Sequence, residues 1–154
     1  MSSPVSIVLV EDNPNDERLA LRALKKAGLS NEVTVLRDGE EAIAFFLGEG
    51  DADLPRADPA LTYVLLLDLQ LPKLNGVDVL RALRADPTWR LMTVVILTAS
   101  EEERDRIQSY GLGANSYIRK PIDFDQFVEV VRQVGYYWLV LNEPPPAPSR
   151  IERN

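Results

Sequence analysis

Residues 63–72 have the sequence YVLLLDLQLP, in which five apolar residues lead directly into Asp68. An unbroken apolar run of this length predicts a strand that is covered on both faces, as strands of parallel sheets are. A helix is predicted next, from Asn75 to Ala85, and the run MTVVIL at residues 92–97 predicts a second covered strand. This central part of the chain therefore indicates an α/β fold.

The same alternation of strands and helices continues on both sides of this part. We predict further strands at residues 5–10, 32–36 and 116–119, and further helices at residues 13–27, 38–47, 100 to about 111, and 123 to about 141. Asp38 with Glu41 and Ser100 with Glu103 have the spacing of capping boxes at helix starts. Five strand–helix pairs predict a doubly wound parallel sheet with helices on both faces.

The composition restricts the chemistry that such a fold can support. The chain has 154 residues, no His and no Cys, which excludes thiolate or imidazole metal ligands and Ser-His-Asp catalysis. Any metal ion must be held by oxygen, which favours Mg²⁺, with Ca²⁺ or Mn²⁺ as substitutes. A net charge of −7 argues against nucleic-acid binding, and no apolar run is long enough to span a membrane. We expect a soluble cytoplasmic protein.

Polar residues follow four of the predicted strands. Glu11 and Asp12 come after the first strand, Asp68 after the third, Thr98 after the fourth and Lys120 after the fifth. Because the carboxyl ends of parallel strands lie at one edge of the sheet, where ligands bind, we expect these side chains to gather in one cleft. Each of them alone is more often a helix cap or a surface residue, so the prediction rests on their combination.

Three carboxylates in one cleft raise one another's pKa unless a cation neutralises them. A hard divalent cation such as Mg²⁺ fits Glu11, Asp12 and Asp68. A carboxylate beside that metal can attack a phosphoryl group and become an aspartyl phosphate, and Asp68 is the central candidate nucleophile. Thr98 and Lys120 supply the hydroxyl and the ammonium that stabilise the charge on a transferred phosphoryl group.

The motifs resemble the receiver domain of bacterial two-component response regulators over about residues 5–138. The resemblance is carried by Val10-Glu11-Asp12-Asn13, by Leu67-Asp68-Leu69-Gln70-Leu71-Pro72 with Gly76, by Leu97-Thr98-Ala99 and by Tyr117-Ile118-Arg119-Lys120-Pro121. It implies a flavodoxin-like sheet with strand order 2-1-3-4-5. It also implies that Asp68 accepts phosphate from a sensor histidine kinase, so that the chain modifies only itself and is not an enzyme with a separate substrate.

The resemblance further implies a role for each matching residue. Mg²⁺ is bound by Glu11, Asp12, Asp68 and the backbone carbonyl of Gln70, although Glu11 stands where the family often has Asp. Whether Glu11 contacts the metal directly or through water is left open. Thr98 bonds the phosphoryl group, Lys120 pairs with it, and Pro121 follows a cis peptide bond. Tyr117 is the aromatic switch residue that turns inward when Thr98 moves, which changes the surface of helix 4, strand 5 and helix 5.

The C-terminal part of the chain predicts an interaction surface. We expect one receiver domain over residues 1–142 with an extended last helix, a Pro-rich disordered tail at residues 143–154, and no output domain. The end of that helix is apolar nearly all round, which favours a homodimer interface made by Tyr136, Tyr137, Trp138, Leu139 and Val140. The alternative is that this segment folds back over its own core. This helix end and the long loop at residues 48–62 resemble small receivers that partner bacterial phytochrome kinases.

The residues argue against three other functions. A flavodoxin-like domain that binds a nucleotide or a flavin needs a phosphate-binding loop after the first strand, where this chain has the acidic Glu11 and Asp12. A phosphatase with an aspartyl nucleophile usually has a second Asp two residues later, and that position is Gln70 here. A receiver that only binds partners does not need Asp12, Asp68, Thr98 and Lys120 together.

Overall fold

The computed structural model describes residues 5–29, 33–48 and 55–136. Within these ranges the strands are β1 Val5–Val10, β2 Val33–Leu36, β3 Thr62–Asp68, β4 Thr93–Thr98 and β5 Ser116–Arg119. The helices are α1 Pro14–Lys26, α2 Gly39–Leu47, α3 Gly76–Ala85, α4 Glu101–Ser109 and α5 Phe124–Tyr136. Part of the predicted 48–62 loop, the segment from Tyr137 and the predicted tail at residues 143–154 lie outside the described residues.

The five strands form one parallel sheet in the order β2-β1-β3-β4-β5. The central strand β3 pairs with β1, placing Leu67 beside Val10, and with β4, placing Asp68 beside Leu97. This topology confirms the predicted doubly wound, flavodoxin-like fold. Its register brings the carboxyl ends of β1, β3 and β4 to the same edge of the sheet.

Both faces of the sheet carry a hydrophobic core, which explains the unbroken apolar runs. On one face Leu65, Leu67 and Ile96 pack in a cluster with side chains of α2, α3 and α4. On the other face Leu66 and Leu97 pack with side chains of α1 and α5. Burying a leucine side chain contributes about 1.5–3 kcal/mol relative to leaving it exposed, so a polar residue in these strands would be costly.

Strands β3 and β4 each extend one residue beyond the predicted end. Asp68 still pairs in the sheet with Leu97, and the Leu69 N–H donates to the Leu97 carbonyl at 3.0 Å. The expected ends at Leu67 and Leu97 were wrong because the ladder of hydrogen bonds continues through the first polar residue. Asp68 and Thr98 therefore stand on the rigid sheet and not on loops.

The two predicted capping boxes are only half formed. Asp38 Oδ1 accepts the Glu41 N–H at 2.8 Å, and Ser100 Oγ accepts the Glu103 N–H at 3.2 Å. Among the described residues, neither Glu side chain returns a bond to the N–H of its cap residue. Glu103 instead contacts Thr98 on the neighbouring strand end, at 3.1 Å. Glu103 therefore bonds to a side chain on a neighbouring strand and not to the backbone of its own cap residue.

Gly76 allows α3 to begin directly against the end of β3. Its N–H donates to the Leu69 carbonyl at 2.9 Å. A Cβ atom at this position would lie 2.5 Å from the Asp68 carbonyl oxygen and 2.6 Å from the Leu69 Cα, inside van der Waals contact. Only glycine fits such a close approach without a backbone shift. The spacing between Asp68 and Gly76 therefore fixes the segment that carries the candidate nucleophile.

Arg84 connects several backbone segments at the edge of the sheet opposite to Asp68. From the last turn of α3, its guanidinium donates four hydrogen bonds of 2.7–3.1 Å to backbone carbonyls, those of Arg90, Met92, Leu112 and Gly113. The planar, five-donor guanidinium suits this task because it can serve several acceptors at once. Arg84 thereby joins α3, the segment before β4 and the turn after α4.

We predict that Arg84→Met lowers the free energy of unfolding by about 2–4 kcal/mol, because it leaves several carbonyls without their charged donor. Arg81→Met is the matched control, since Arg81 lies one turn earlier with a 49% exposed side chain, a 4.0 Å ion pair to Asp78 and a surface contact with the exposed Tyr110 ring. A surface pair of this kind contributes about 0.5 kcal/mol. Urea denaturation measures both values, and equal losses for the two variants would contradict the bracing role.

Candidate functional site

The Lys120 ammonium lies at the centre of a carboxylate cluster at the carboxyl edge of the sheet. Its Nζ atom is 2.9 Å from Asp68 Oδ2, 3.1 Å from Glu11 Oε1 and 3.1 Å from Asp16 Oδ2. An ammonium has three N–H donors, one for each of these carboxylates. The structure therefore brings together side chains from the ends of β1, β3 and β5 and from the first turn of α1.

Two of these carboxylates are almost completely withdrawn from water. Glu11 and Asp68 are each 1% exposed. Burial, and then the hydrogen bond and the negative charge of Asp68, raise the pKa of Glu11 to about 8, against the opposing effect of Lys120. Although burial opposes it, the hydrogen bond to Asp68 and the charges of Asp68 and Glu11 raise the pKa of Lys120 above its usual range. The cluster holds more negative charge than one ammonium neutralises.

The geometry of the acidic cluster fits a divalent cation. Carboxylate oxygens of Glu11, Asp12 and Asp68 all lie within 4.8 Å of one another, and Asp12 is exposed at the entrance while the other two are buried. Glu11 Oε1 accepts no well-aligned hydrogen bond from the described residues, although Lys120 lies beside it. Hard oxygen donors and an excess of negative charge are the features that Mg²⁺ and Mn²⁺ require.

Gln70 reaches the cluster through its backbone. Its N–H donates to Asp68 Oδ1 at 3.0 Å, while its side chain is exposed. The other Asp68 oxygen is the one that pairs with Lys120. Both carboxylate oxygens of Asp68 are therefore oriented by hydrogen bonds. The role of the Gln70 backbone carbonyl as a metal ligand stays a prediction.

Thr98 lies at the end of β4, but its hydroxyl is engaged with α4 and not with Asp68. The hydroxyl is 3.1 Å from Glu103 Oε1, to which it donates, and it accepts the Ser100 N–H at 3.0 Å. In the described part of the chain no hydrogen bond joins Thr98 to Asp68. The structure thus has Thr98 beside the cluster with its donor turned towards the helix.

Tyr117 is half-buried on β5, next to the same helix. The Arg104 guanidinium carbon lies 4.6 Å from the centre of its ring, a cation–π arrangement. Thr98 and Tyr117 both line a cavity of about 270 Å³ between the start of α4 and β5. Three residues after Tyr117, just beyond the end of β5, the Lys120 N–H donates to the Thr98 carbonyl at 3.0 Å, and the Lys120–Pro121 peptide bond is cis.

Asp16 is the member of the cluster that the sequence did not reveal. It lies in the first turn of α1, where an acidic residue is already explained by the helix dipole and needs no tertiary partner. The available signal was its spacing, because Asp16 follows Asp12 by four residues and so stands one helical turn beyond the acidic pair. Its contact with Lys120 depends on the length of the lysine side chain, which spacing alone does not show.

Of the five predicted interface residues, only Tyr136 lies within the described residues. It is the last residue of α5 and is 51% exposed. Tyr137, Trp138, Leu139 and Val140 lie outside the described ranges. The interface in this segment therefore stays a prediction.

The comparison with protein families decides the assignment. Residues 7–132 match the family model of the response regulator receiver domain. The chain belongs to this family. Its members are signalling proteins of two-component systems, which partner with sensor histidine kinases.

One response regulator, Rcp1, resembles this chain in both sequence and structure. The response regulator Rcp1 of Synechocystis sp. is 36% identical over 137 residues, which cover 88% of this chain and 90% of Rcp1. The solved Mn²⁺-bound form of Rcp1 has a TM-score of 0.71, with 34% identity over 93% of this chain and 99% of that chain. This receiver chain is thus similar to Rcp1 over nearly the full length of both.

Two further solved structures have the same fold. The bacteriophytochrome response regulator RtBRR has a TM-score of 0.73 and 48% identity, over 95% of this chain and 86% of that chain. The phosphorylated cyanobacterial phytochrome response regulator RcpA has a TM-score of 0.71 and 37% identity, over 95% of this chain and 100% of that chain. Among the described helices of the present receiver, none has the length and apolarity to cross a membrane.

We predict that Lys120→Met lowers the free energy of unfolding by about 2 kcal/mol without divalent cations. Breaking a fully buried ion pair costs about 3–5 kcal/mol, and this cluster opens to water at Asp12. Because Mg²⁺ replaces the lost positive charge, saturating Mg²⁺ raises the melting temperature of this variant more than that of the wild-type receiver.

Thermal unfolding with and without Mg²⁺ measures this effect. Lys73→Met is the matched control, because Lys73 pairs with Asp38 at 3.4 Å and its side chain is 57% exposed. We expect the control to respond to Mg²⁺ as the wild-type receiver does. A Lys120→Met receiver whose response to Mg²⁺ equals that of the control would refute the role of Lys120 as the resident counter-ion.

Proposed function

We propose that this receiver is a single-domain response regulator that accepts a phosphoryl group on Asp68 from a sensor histidine kinase. The observation that carries the proposal is the position of Asp68. It is the last residue of the central strand, its side chain is buried, and it pairs with Lys120 at 2.9 Å. Glu11 and Asp12 supply further carboxylates on the same edge. The chain has no His, so the phosphodonor imidazole belongs to a partner.

In the proposed transfer, a carboxylate oxygen of Asp68 attacks the phosphorus atom of a phosphohistidine. A P–O bond forms while the P–N bond breaks, and the imidazole leaves with the electron pair and takes up a proton. Lys120 and the Gln70 N–H already orient Asp68, so the nucleophile enters the reaction in a fixed position. The later loss of phosphate by hydrolysis is chemistry of the receiver on itself, which is why it has no separate substrate.

Glu11, Asp12, Asp68 and the Gln70 carbonyl would hold Mg²⁺ in this function. When bound, the ion supplies positive charge that neutralises the oxygens of the transferred group. The Mn²⁺-bound form of the similar protein Rcp1 supports the assignment, as does the donor set of this receiver. Mn²⁺ or Ca²⁺ are the substitutes that such oxygen ligands accept.

The proposed output is a change in the surface formed by α4, β5 and α5. A phosphoryl group on Asp68 offers new acceptor oxygens to the Thr98 hydroxyl, and the movement of Thr98 frees space for Tyr117 to turn inward. The shared cavity beside Thr98 and Tyr117 supports this role for both residues. The names of the phytochrome response regulator RcpA and the bacteriophytochrome response regulator RtBRR support a bacterial phytochrome as the partner kinase.

The residues at the site give less support to a phosphatase or to a flavin- or nucleotide-binding domain. A phosphatase of the aspartyl type needs an acid two residues after the nucleophile, where Gln70 instead donates its N–H to Asp68. A flavin or nucleotide phosphate would face the carboxylates of Glu11, Asp12 and Asp68 at the same edge. No observation favours either function over phosphoryl acceptance.

We predict that the receiver, incubated with Mg²⁺ and a small-molecule phosphodonor, gains about 80 Da in intact mass, the mass of one phosphoryl group. Asp68→Asn removes the nucleophile and abolishes the adduct. Asp78→Asn is the matched control, because Asp78 lies on α3 in a surface pair with Arg81 and leaves the adduct intact. A wild-type chain without an adduct, or an adduct that survives Asp68→Asn, would refute the proposed function.

We further propose that the receiver forms a homodimer through the C-terminal helix and residues 136–140. The half-exposed Tyr136 at the end of α5 and the apolar sequence that follows it support this arrangement. Aromatic side chains are enriched in protein interfaces.

We predict that a receiver ending at residue 135 is a monomer, whereas one ending at residue 142 keeps the dimeric state of the full chain. The longer variant is the matched control, since it loses only the Pro-rich tail. Size-exclusion chromatography with light scattering measures both. The dimer proposal fails if removal of residues 136–154 leaves the oligomeric state unchanged.

A further inference from the structure

The Thr98 hydroxyl is built into the cap of α4. The Ser100 N–H donates to Thr98 Oγ1, and the Thr98 hydroxyl lies within reach of Glu103 Oε1 at 3.1 Å and of the Ser100 carbonyl at 3.3 Å. In an ordinary capping box the Glu side chain accepts the N–H of the cap residue directly. Here Thr98 is inserted between them, so the helix start is bonded to the end of β4.

The next residue of α4 holds the second switch side chain. The Arg104 guanidinium packs over the Tyr117 ring at 4.6 Å. Glu103 and Arg104 are consecutive, so a single turn of helix contacts both Thr98 and Tyr117. Any movement of that turn therefore acts on the two residues together.

Helix α4 is held to the rest of the receiver by few apolar contacts. Of its nine residues, Ile107 alone is buried. Three glutamates occupy its first turn, and two of them, Glu101 and Glu102, are exposed. The polar bonds at Thr98 and Tyr117 are therefore a large share of what positions the start of this helix.

We propose that Glu103 is a positioning residue that withholds the Thr98 hydroxyl from the phosphoryl group on Asp68. The inference rests on the proposed function. A threonine hydroxyl has one proton, which it can donate to Glu103 or to a phosphoryl oxygen, but not to both. A carboxylate is a strong, charge-assisted acceptor, so Glu103 opposes the capture of Thr98.

The same competition connects the phosphoryl group to the helix. When Thr98 turns to Asp68, the Ser100 N–H loses its acceptor and the Glu103 carboxylate loses its donor. Both groups lie at the start of α4, so its first turn loosens as the phosphoryl group is bound. The loss of these two bonds is therefore both the energetic cost of releasing Thr98 and the change that phosphorylation produces at the start of α4.

Glu103→Gln is the test, with Glu102→Gln as the matched control. Both changes remove one negative charge from the first turn of α4, but Glu102 is exposed and has no contact with Thr98 among the described hydrogen bonds. With Mg²⁺ and a small-molecule phosphodonor, we expect Glu103→Gln to form the Asp68 adduct about threefold to tenfold faster than the wild-type receiver, because the weakened acceptor releases Thr98. Glu102→Gln should stay within about twofold of the wild-type rate.

A double-mutant cycle shows whether Glu103 acts through Thr98. In a Thr98→Val background, which has no hydroxyl to withhold, Glu103→Gln should leave the rate of adduct formation unchanged. Hydrogen exchange gives a second readout. In the unphosphorylated Glu103→Gln receiver, the amides at the start of α4 should exchange faster than in the unphosphorylated wild-type receiver, and phosphorylation of the wild type should have the same effect.

Three results would overturn the inference. In two of them the wild-type adduct forms, but Glu103→Gln behaves as Glu102→Gln does, or its effect persists in the Thr98→Val background. Either result removes the role of Glu103 and leaves the proposed function intact. A wild-type receiver that forms no adduct overturns the proposed function itself, and the role of Glu103 with it.

Discussion

The rest of the structure depends on the balance between one ammonium and the carboxylates that the sheet brings to one edge. Parallel strands in the order β2-β1-β3-β4-β5 place the carboxyl ends of β1 and β3 side by side, with Glu11 and Asp68 both buried. Lys120 follows the edge strand β5, and its side chain crosses the end of β4 to reach both of them. The cluster therefore connects the ends of three strands, β1, β3 and β5, and its remaining negative charge makes it a place for a cation.

The edge combines a fixed part with an adjustable part. Asp68 stands on the central strand, and Gly76 allows the backbone of α3 to pack directly against the Asp68 carbonyl, so this candidate nucleophile has little freedom. Thr98 also stands on a strand, but its hydroxyl is bonded to a helix with one buried side chain. In the proposed function, a change of charge at the fixed part would therefore cause movement at the adjustable part, where the interactions are polar and exchangeable.

The fold and most of the site could be predicted from the sequence, because both depend on patterns that are local. Apolar runs mark covered strands, and the polar residues that end those runs must meet at one edge of a parallel sheet. Asp16, Arg84 and Glu103 were not assigned their roles, because each had a sufficient local explanation, as a first-turn acid, a surface cation or a cap partner. Their actual partners are reached by long side chains across the tertiary structure, which no spacing in the sequence specifies.

The bonds of Arg84 give α4 a mechanical asymmetry. Arg84 fastens the carbonyls of Leu112 and Gly113 in the turn that follows the helix, far from the carboxylate cluster. The other end of α4 is attached through Thr98 and Tyr117. A helix of nine residues is about 13 Å long at 1.5 Å per residue. If phosphorylation releases its first turn as proposed, the helix would move as a lever with its pivot at the C-terminal turn. Displacement would then grow along the helix towards its first turn, so a partner that binds this surface would meet the largest change beside Thr98 and Tyr117.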